Sequence, residues 1–391
     1  MNSVSEITTL VKQAAREAGF ELAGIAPVRE FAELEYFPKW IAAGHAGEMK
    51  YMAARDQNGD LTRAKLRKAA PWARSVIVCA INYNSANPYS IQAQDPARGW
   101  ISRYAWSRED YHQAVMRRLR LVEAKLISQV RSAGKAQPLS DPRGMAEAAP
   151  FHRNAEGNKC DETLNADGTP TLETRCYVDT GPLVERVYAK YAGIGWIGKN
   201  TCILNQKMGS WLFLGVILTS VELMPDFPAP DRCGTCSRCI EACPTDAFIG
   251  PYQLDSNRCI SYLTIEKRDA IPEAMREGMG RHVFGCDICQ DVCPWNRKSP
   301  VTNAPEFQAR EGLVNPALDW LAEMAAEEFR EQFRGSPIRR AKRTGLRRNA
   351  VVAMGNSGER RFVPLLERLA ADEDLTVAEH AKWAMRKLAT S

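Results

Sequence analysis

Eight cysteines, seven in two blocks and one between them, are the residues whose spacing most directly implies chemistry. Cys233, Cys236, Cys239 and Cys243 form C-x2-C-x2-C-x3-C-P, and Cys286, Cys289 and Cys293 repeat its last three positions, again with a proline behind the last. Cys259 stands alone between the blocks. Eight thiols match two four-iron clusters, and in runs of this spacing the fourth cysteine ligates the other cluster. The expected ligand sets are Cys233, Cys236, Cys239 and Cys293 for one cluster, and Cys243, Cys259, Cys286 and Cys289 for the other. Soft thiolates suit such iron cores. Structural zinc is the alternative, but zinc favours separated pairs over triples that exchange a fourth ligand.

The elements that must hold these thiols are embedded in an ordinary globular composition. The chain has 391 residues, 45% hydrophobic and 25% charged, with a net charge of +5, which predicts two or three domains with ample core. Of the 12 cysteines, Cys79, Cys160, Cys176 and Cys202 lie outside the blocks. Cys79 and Cys202 fall in apolar runs and read as small buried residues. Metal-bound thiolates need a reducing compartment. The N-terminus has no signal-like apolar region, and no apolar run reaches the roughly 20 residues that cross a bilayer. The expectation is a cytoplasmic protein with no membrane contact.

Ser3 and Glu6 have capping-box spacing, and Ile7, Leu10, Val11 and Ala14 form an apolar face, so a first helix is expected over 3–19. FELAGIAPV and SVIVCAINY read as strands, the second apolar enough to be central. A long helix opens at DYH. RCYVD reads as a strand, with a helix from Pro182 to about Ala192. TCILN and SWLFLGVILTSVEL read as further strands. PDFPAPDR is a linker into the cysteine region, and short helices fill the chain from about Gly335.

Several motifs admit more than one reading. Asp110 and His112 superficially match D-x-H-x-x-G, a motif that holds cobalamin from below, but Val115 takes the glycine position. Asp110 then reads as a first-turn acid favoured by the helix dipole. Gly193, Gly195 and Gly198 spell the dinucleotide fingerprint, yet they follow a helix and lead into a strand, the reverse of what that motif needs. Close backbone approach to another large cofactor is the better reading. Between Arg334 and Arg348 stand Arg334, Arg339, Arg340, Lys342, Arg343, Arg347 and Arg348 without an acid. They form either a solvated helix face or a grip on phosphate. Residues 134–174 are rich in Pro, Gly, Asn, Asp and Glu and read as an excursion of unclear role.

The segments GEMKYM, RYAW…DYH, VDTGPLVERVYAKYAGIGWIGKN, GSWLFLG, CISYLTIEKR, GCDICQDVCPWN, RRNAVVAMGN and EHAKWAM together resemble the epoxyqueuosine reductases, over nearly the whole chain. YAWSREDYH is one residue longer than the usual family spacing, and 134–174 is longer than the usual connection. The resemblance implies an α/β cobalamin-binding domain at 1–225, a ferredoxin-like two-cluster module at 226–300, and a C-terminal all-α HEAT-like repeat at 301–391 that helps hold tRNA. It implies base-off cobalamin and two [4Fe-4S] clusters. Asp179 of VDTG corresponds to the family's proton donor; capping of the following helix is its structural alternative. Cobalamin contacts fall on Arg63, Ser102, Asp179, Ile203 and Leu214, with Ser261 on the cluster side. The implied reaction opens an epoxide at the wobble base of tRNA with a GUN anticodon and removes its oxygen as water. An external donor supplies the electrons, the clusters relay them to cobalt, and a monomer is expected. Of the two clusters, the one on Cys243, Cys259, Cys286 and Cys289 is expected nearer cobalt.

Two other readings compete. A reductive dehalogenase shares the cobalamin-and-clusters plan but would usually carry a twin-arginine signal and lack the basic tail. A non-catalytic tRNA-binding electron carrier would leave VDTG and the glycines as packing.

Overall fold

The computed structural model describes residues 3–132 and 172–390. The stretch 134–174 therefore lies outside the described residues up to position 171, as does Cys160.

The first helix, α1 (Val4–Glu17), starts as its sequence predicts. Ser3 caps it, with the Glu6 amide donating to Ser3 Oγ at 3.2 Å and Glu6 Oε2 accepting from the Ser3 amide at 2.6 Å. Its inner face buries Ile7, Val11, Ala14 and Ala15. A four-stranded antiparallel sheet follows, built from β1 (Leu22–Pro27), β2 (Ser75–Asn82), β3 (Thr174–Tyr177) and β4 (Leu212–Thr219) in the order β1-β2-β4-β3. Every residue of β2 is buried, because both its edges are paired and both its faces are covered. Ile77, Cys79 and Ile81 pack with α1 and the helix α2 (Tyr111–Ser132) on one side. Val76, Val78 and Ala80 pack with the helix α3 (Glu185–Tyr191) on the other. The result is an α/β/α sandwich.

Two local expectations change. The helix expected from Pro182 begins at Glu185, with Val184 as N-cap, because the carbonyls of Asp179 and Leu183 are drawn to Arg63 at 3.0 Å and 3.4 Å instead. The glycine-rich turn is a small hairpin, Trp196–Ile197 against Ile203–Leu204. A Cβ on Gly195 would lie 2.2 Å from the Leu204 carbonyl oxygen. That glycine admits its own hairpin partner, not a cofactor.

The cysteine region is short in regular structure, with a helix α4 (Ile260–Ile265) and a strand His282–Phe284 that pairs in parallel with Trp100–Ile101. Three C-terminal helices follow: α5 (Lys342–Ser357), α6 (Val363–Leu369) and α7 (Leu375–Ala389). α5 is the central rod, buried from Gly345 to Gly355. Its core is continuous with Trp100, Trp106, Ile260, Leu263, Val283 and Phe284, and Asn349 pins it there through the carbonyls of Thr264 and Val283, each at 2.8 Å. Among the described residues no helix is long and apolar enough to cross a membrane.

The basic run is not one surface. Arg348 is fully buried and donates to the carbonyls of Leu263, Lys267 and Asp269 at 2.7–2.9 Å. Arg347, also buried, pairs with Asp372 at 2.5 Å. Arg343 donates to the Met324 carbonyl, and Arg340 pairs with Glu266. The acids missing from the local sequence arrive from distant segments. Arg334, Arg339 and Lys342 remain exposed, with no side-chain hydrogen bond or ion pair among the described residues.

Candidate functional site

The eight thiols gather in two groups. Cys233, Cys236, Cys239 and Cys293 line one cavity of about 250 Å³ together with Leu204 and Trp295. Burial, with Cys233 and Cys236 alongside, pushes the Cys239 thiol up to about 11. Burial, with Cys239 and Cys233 alongside, does the same to Cys293. In the second group, Cys286 feels Cys259 and Cys243, Cys289 feels Cys286 and Cys259, and all three of Cys259, Cys286 and Cys289 are raised. Crowded thiols resist ionising unless a cation joins them, so iron would displace their protons on binding. Among the described residues no three Cys, His, Asp or Glu converge closely enough to hold a single ion. Four thiols around an open volume suit a larger, polynuclear core. The first thiol group, set around its cavity, fits one such core.

Each half of Lys199–Asn200, at the turn of the small hairpin, ties down one cysteine block. Lys199 Nζ donates to the carbonyls of Gly234 and Cys236 at 2.6 Å and 3.0 Å, and Asn200 donates to the carbonyl of Cys289 at 3.2 Å. Cys202 on the same turn lies beside the Cys289 thiol. Its apolar neighbours in sequence hid this place beside the second group.

Asp179 ends the β3 edge in a left-handed conformation, φ 60°, a backbone state that costs a non-glycine residue of order 1 kcal/mol. Its side chain is half exposed and gathers polar partners. Tyr111 Oη donates to Asp179 Oδ2. His112 Nε2 lies 3.5 Å from the same oxygen, while His112 Nδ1 meets Asp110 Oδ1 at 2.7 Å. Since the Asp110 carboxylate only accepts, Nδ1 carries a proton and Nε2 is left to exchange one with Asp179. Asp110 precedes α2 and accepts from the His112 amide at 3.0 Å, so it caps the helix and orients the imidazole. This role is additional to the dipole effect expected of it.

Glu185, the first residue of α3, lies buried beside Asp179. Burial and the neighbouring Asp179 push its carboxyl well above the usual range, against the pull of Arg63. Among the described residues its Oε1 has no hydrogen-bond partner. The environment of Glu185 favours its protonated form over the carboxylate.

Arg63 Nη2 reaches the Asp179 carbonyl at 3.0 Å, placing it at this site. Ser102 is buried, and its hydroxyl donates to Asp287, which also accepts from Trp100 Nε1 at 3.1 Å and the Arg103 amide at 2.7 Å. Ser102 thus anchors the residue after Cys286, a structural duty the sequence did not reveal. Ile203 is buried and Leu214 partly exposed on the α3 side of the sheet. Ser261 lies beside the thiol of Cys259. Tyr104 links these places. It packs against Tyr111 at 5.9 Å and Phe284 at 6.0 Å, within electrostatic reach of Asp179, Asp287, Glu266 and Arg340. Leu212, Leu214, Tyr104 and Tyr111 are each partly exposed.

Comparison with known proteins agrees. Residues 232–296 match a 4Fe-4S double cluster binding domain, and residues 63–141 match the model described as epoxyqueuosine reductase QueG, DUF1730. The chain is 40% identical over 84% of its length to an epoxyqueuosine reductase of Synechocystis, covering 98% of that protein. It is 37% identical to that of Pseudomonas aeruginosa, covering 96% and 93% of the two chains. A crystal structure of epoxyqueuosine reductase with an epoxyqueuosine-modified tRNA-Tyr stem loop superposes with TM-score 0.79 at 25% identity, over 99% of this chain and 91% of that one.

Proposed function

The chain belongs to the epoxyqueuosine reductase family, and on that footing we propose how its parts divide the work. It is an oxidoreductase that reduces epoxyqueuosine in tRNA to queuosine, the closing step of queuosine formation. The assignment to residues is our own reading. The α/β region 1–225 carries base-off cobalamin at the Asp179 junction. Region 226–300 carries two [4Fe-4S] clusters. The helical region 301–391, read as HEAT-like, helps hold a tRNA with a GUN anticodon through Arg334, Arg339 and Lys342. The protein works as a cytoplasmic monomer fed by an external electron donor.

Bound at the junction, cobalamin would supply a strongly nucleophilic reduced metal for opening the epoxide. Arg63, Asp179, Ile203, Leu214 and Ser102 would border it, with Ser261 on the cluster side. The chain's own contribution is protons and positioning. Loss of the epoxide oxygen as water consumes two electrons and two protons. Asp179 faces the open side and passes a proton to that oxygen; such general-acid help contributes about 10²–10⁴-fold. Glu185 keeps a proton in reserve behind it, and His112, aligned by Asp110, exchanges one from the other side. Tyr111 fixes the direction of the carboxyl. The cluster held by Cys243, Cys259, Cys286 and Cys289 lies nearer the junction. Support for this comes from Tyr104, which lies within electrostatic reach of both Asp179 and Asp287, the residue next to Cys286.

The carrying observation is Asp179 itself, held at positive φ among four polar partners. Asp179→Ala should retain bound cobalamin, seen by its visible absorption, and lose turnover. Full turnover in that variant would remove Asp179 as the donor.

A further inference from the structure

The reaction draws electrons from outside the chain, and the first thiol group offers a place for them to enter. Its cavity lining includes Lys199, Arg232 and Arg238 and no acid. Arg232 and Arg238 are exposed and make no side-chain hydrogen bond or ion pair among the described residues. Arg297 and Lys298, just beyond the lining residues Pro294 and Trp295, are exposed as well. The nearby acids are turned onto the chain's own donors. Asp231 accepts from the Cys233 amide at 2.7 Å and Tyr252 Oη at 2.5 Å, and Glu241 accepts from Ser237. Tyr252 is 40% exposed and donates its amide to the Lys199 carbonyl at 3.1 Å. The rim of the mouth is thus lined by the exposed guanidinium groups of Arg232 and Arg238, unpaired among the described residues, with Arg297 and Lys298 exposed next to its lining residues in sequence.

We propose that this rim is the docking face for a small acidic one-electron carrier protein. The proposal rests on the reading that Cys233, Cys236, Cys239 and Cys293 hold a cluster. Each encounter oxidises the carrier by one electron and reduces the cluster by one; two encounters supply the two electrons of the reaction, and no proton moves at this surface. Complementary charge steers such encounters and makes their rate fall with salt. Nucleic acid is the other polyanion a basic rim could attract. The open cations Arg339 and Lys342 sit elsewhere, beside Arg340, which lies over Tyr51 within reach of Arg63, and so flank the Asp179 junction. A tRNA whose modified base must reach Asp179 is served by that face; the rim serves the first thiol group.

The test is stopped-flow reduction of the cluster-loaded full-length protein by a reduced flavodoxin-type carrier, followed as loss of cluster absorbance. The variants are Arg238→Glu and Lys298→Glu, each checked for iron and sulfide content, and tRNA binding is measured in parallel. The expected result is a second-order rate at least about tenfold lower in each variant at low salt, a shallower salt dependence, unchanged dithionite reduction and unchanged tRNA affinity. Carrier rates within twofold of the parent in both cluster-loaded variants would overturn the proposal. So would loss of tRNA affinity with carrier rates unchanged, which would make the rim a nucleic-acid surface. A parent protein reduced by dithionite but never by the carrier would also overturn it. Failure to bind iron at all would instead sink the cluster reading beneath it.

Discussion

Tyr111 donates its phenol hydrogen to Asp179 Oδ2, joining the first turn of a long helix to the loop that ends the β3 edge. The same ring stacks on Phe213 with centroids 4.3 Å apart and planes 2° from parallel, so the hydroxyl is aimed by packing. Tyr111→Phe keeps the stack and loses the bond. Stability and cluster content should be unchanged, while kcat falls about tenfold, the worth of one charge-assisted hydrogen bond.

Glu185 should reveal itself in pH dependence. Its carboxyl is raised in the folded protein by burial and by Asp179. The native state therefore holds a proton that the unfolded chain releases from about pH 4.5 upward. The stability this group contributes is complete below that pH and is lost as pH rises through the folded value. Glu185→Gln, which cannot ionise, should flatten the decline in urea stability relative to the parent as pH rises above about 4.5. It should also slow turnover without releasing bound cofactor. Parallel stability curves would show that Glu185 does not hold the proton.

Arg348 and Lys342 stand six positions apart and should behave oppositely. Arg348→Met removes a fully buried guanidinium from three carbonyls, that of Leu263 buried as well, and should cost roughly 3 kcal/mol of stability, measured by thermal unfolding. Lys342→Ala should leave stability within about 0.5 kcal/mol. It should lower tRNA affinity and reduce the slope of log affinity against log salt by about one unit.

Cys202 should tune one cluster only. A hydrogen bond to a ligating sulfur stabilises the reduced state. Cys202→Ala, by removing the thiol beside Cys289, should shift the midpoint potential of one cluster downward and leave the other in place in an EPR-monitored titration. Equal shifts in both would contradict the placement of Cys202 beside one cluster only.

The readable parts of this chain were those whose meaning is local. Cysteine spacing within a block is set by a few bonds of backbone, so a cluster-binding region was legible before any fold was known. β2 was readable because burial on every side demands an unbroken apolar run. Contacts between distant segments were the hard part. The basic run looked unneutralised because Asp372 and Glu266 lie far along the chain from Arg347 and Arg340. Glu185 looked like any first-turn acid, and only the fold buries it against Asp179. Cys202 looked like filler because Cys289 comes from the other side of the cysteine region. Gly195 was rightly seen as a place of close approach, but what approaches is Leu204 of its own hairpin.

The most direct measurement is nucleoside mass analysis of epoxyqueuosine-containing tRNA after incubation with the cluster-loaded protein, cobalamin and a reductant. The account predicts conversion to queuosine with loss of one oxygen, dependent on cobalamin and on Asp179. Unchanged epoxyqueuosine, under conditions where both clusters and the cobalt are shown spectroscopically to be reduced, would contradict it.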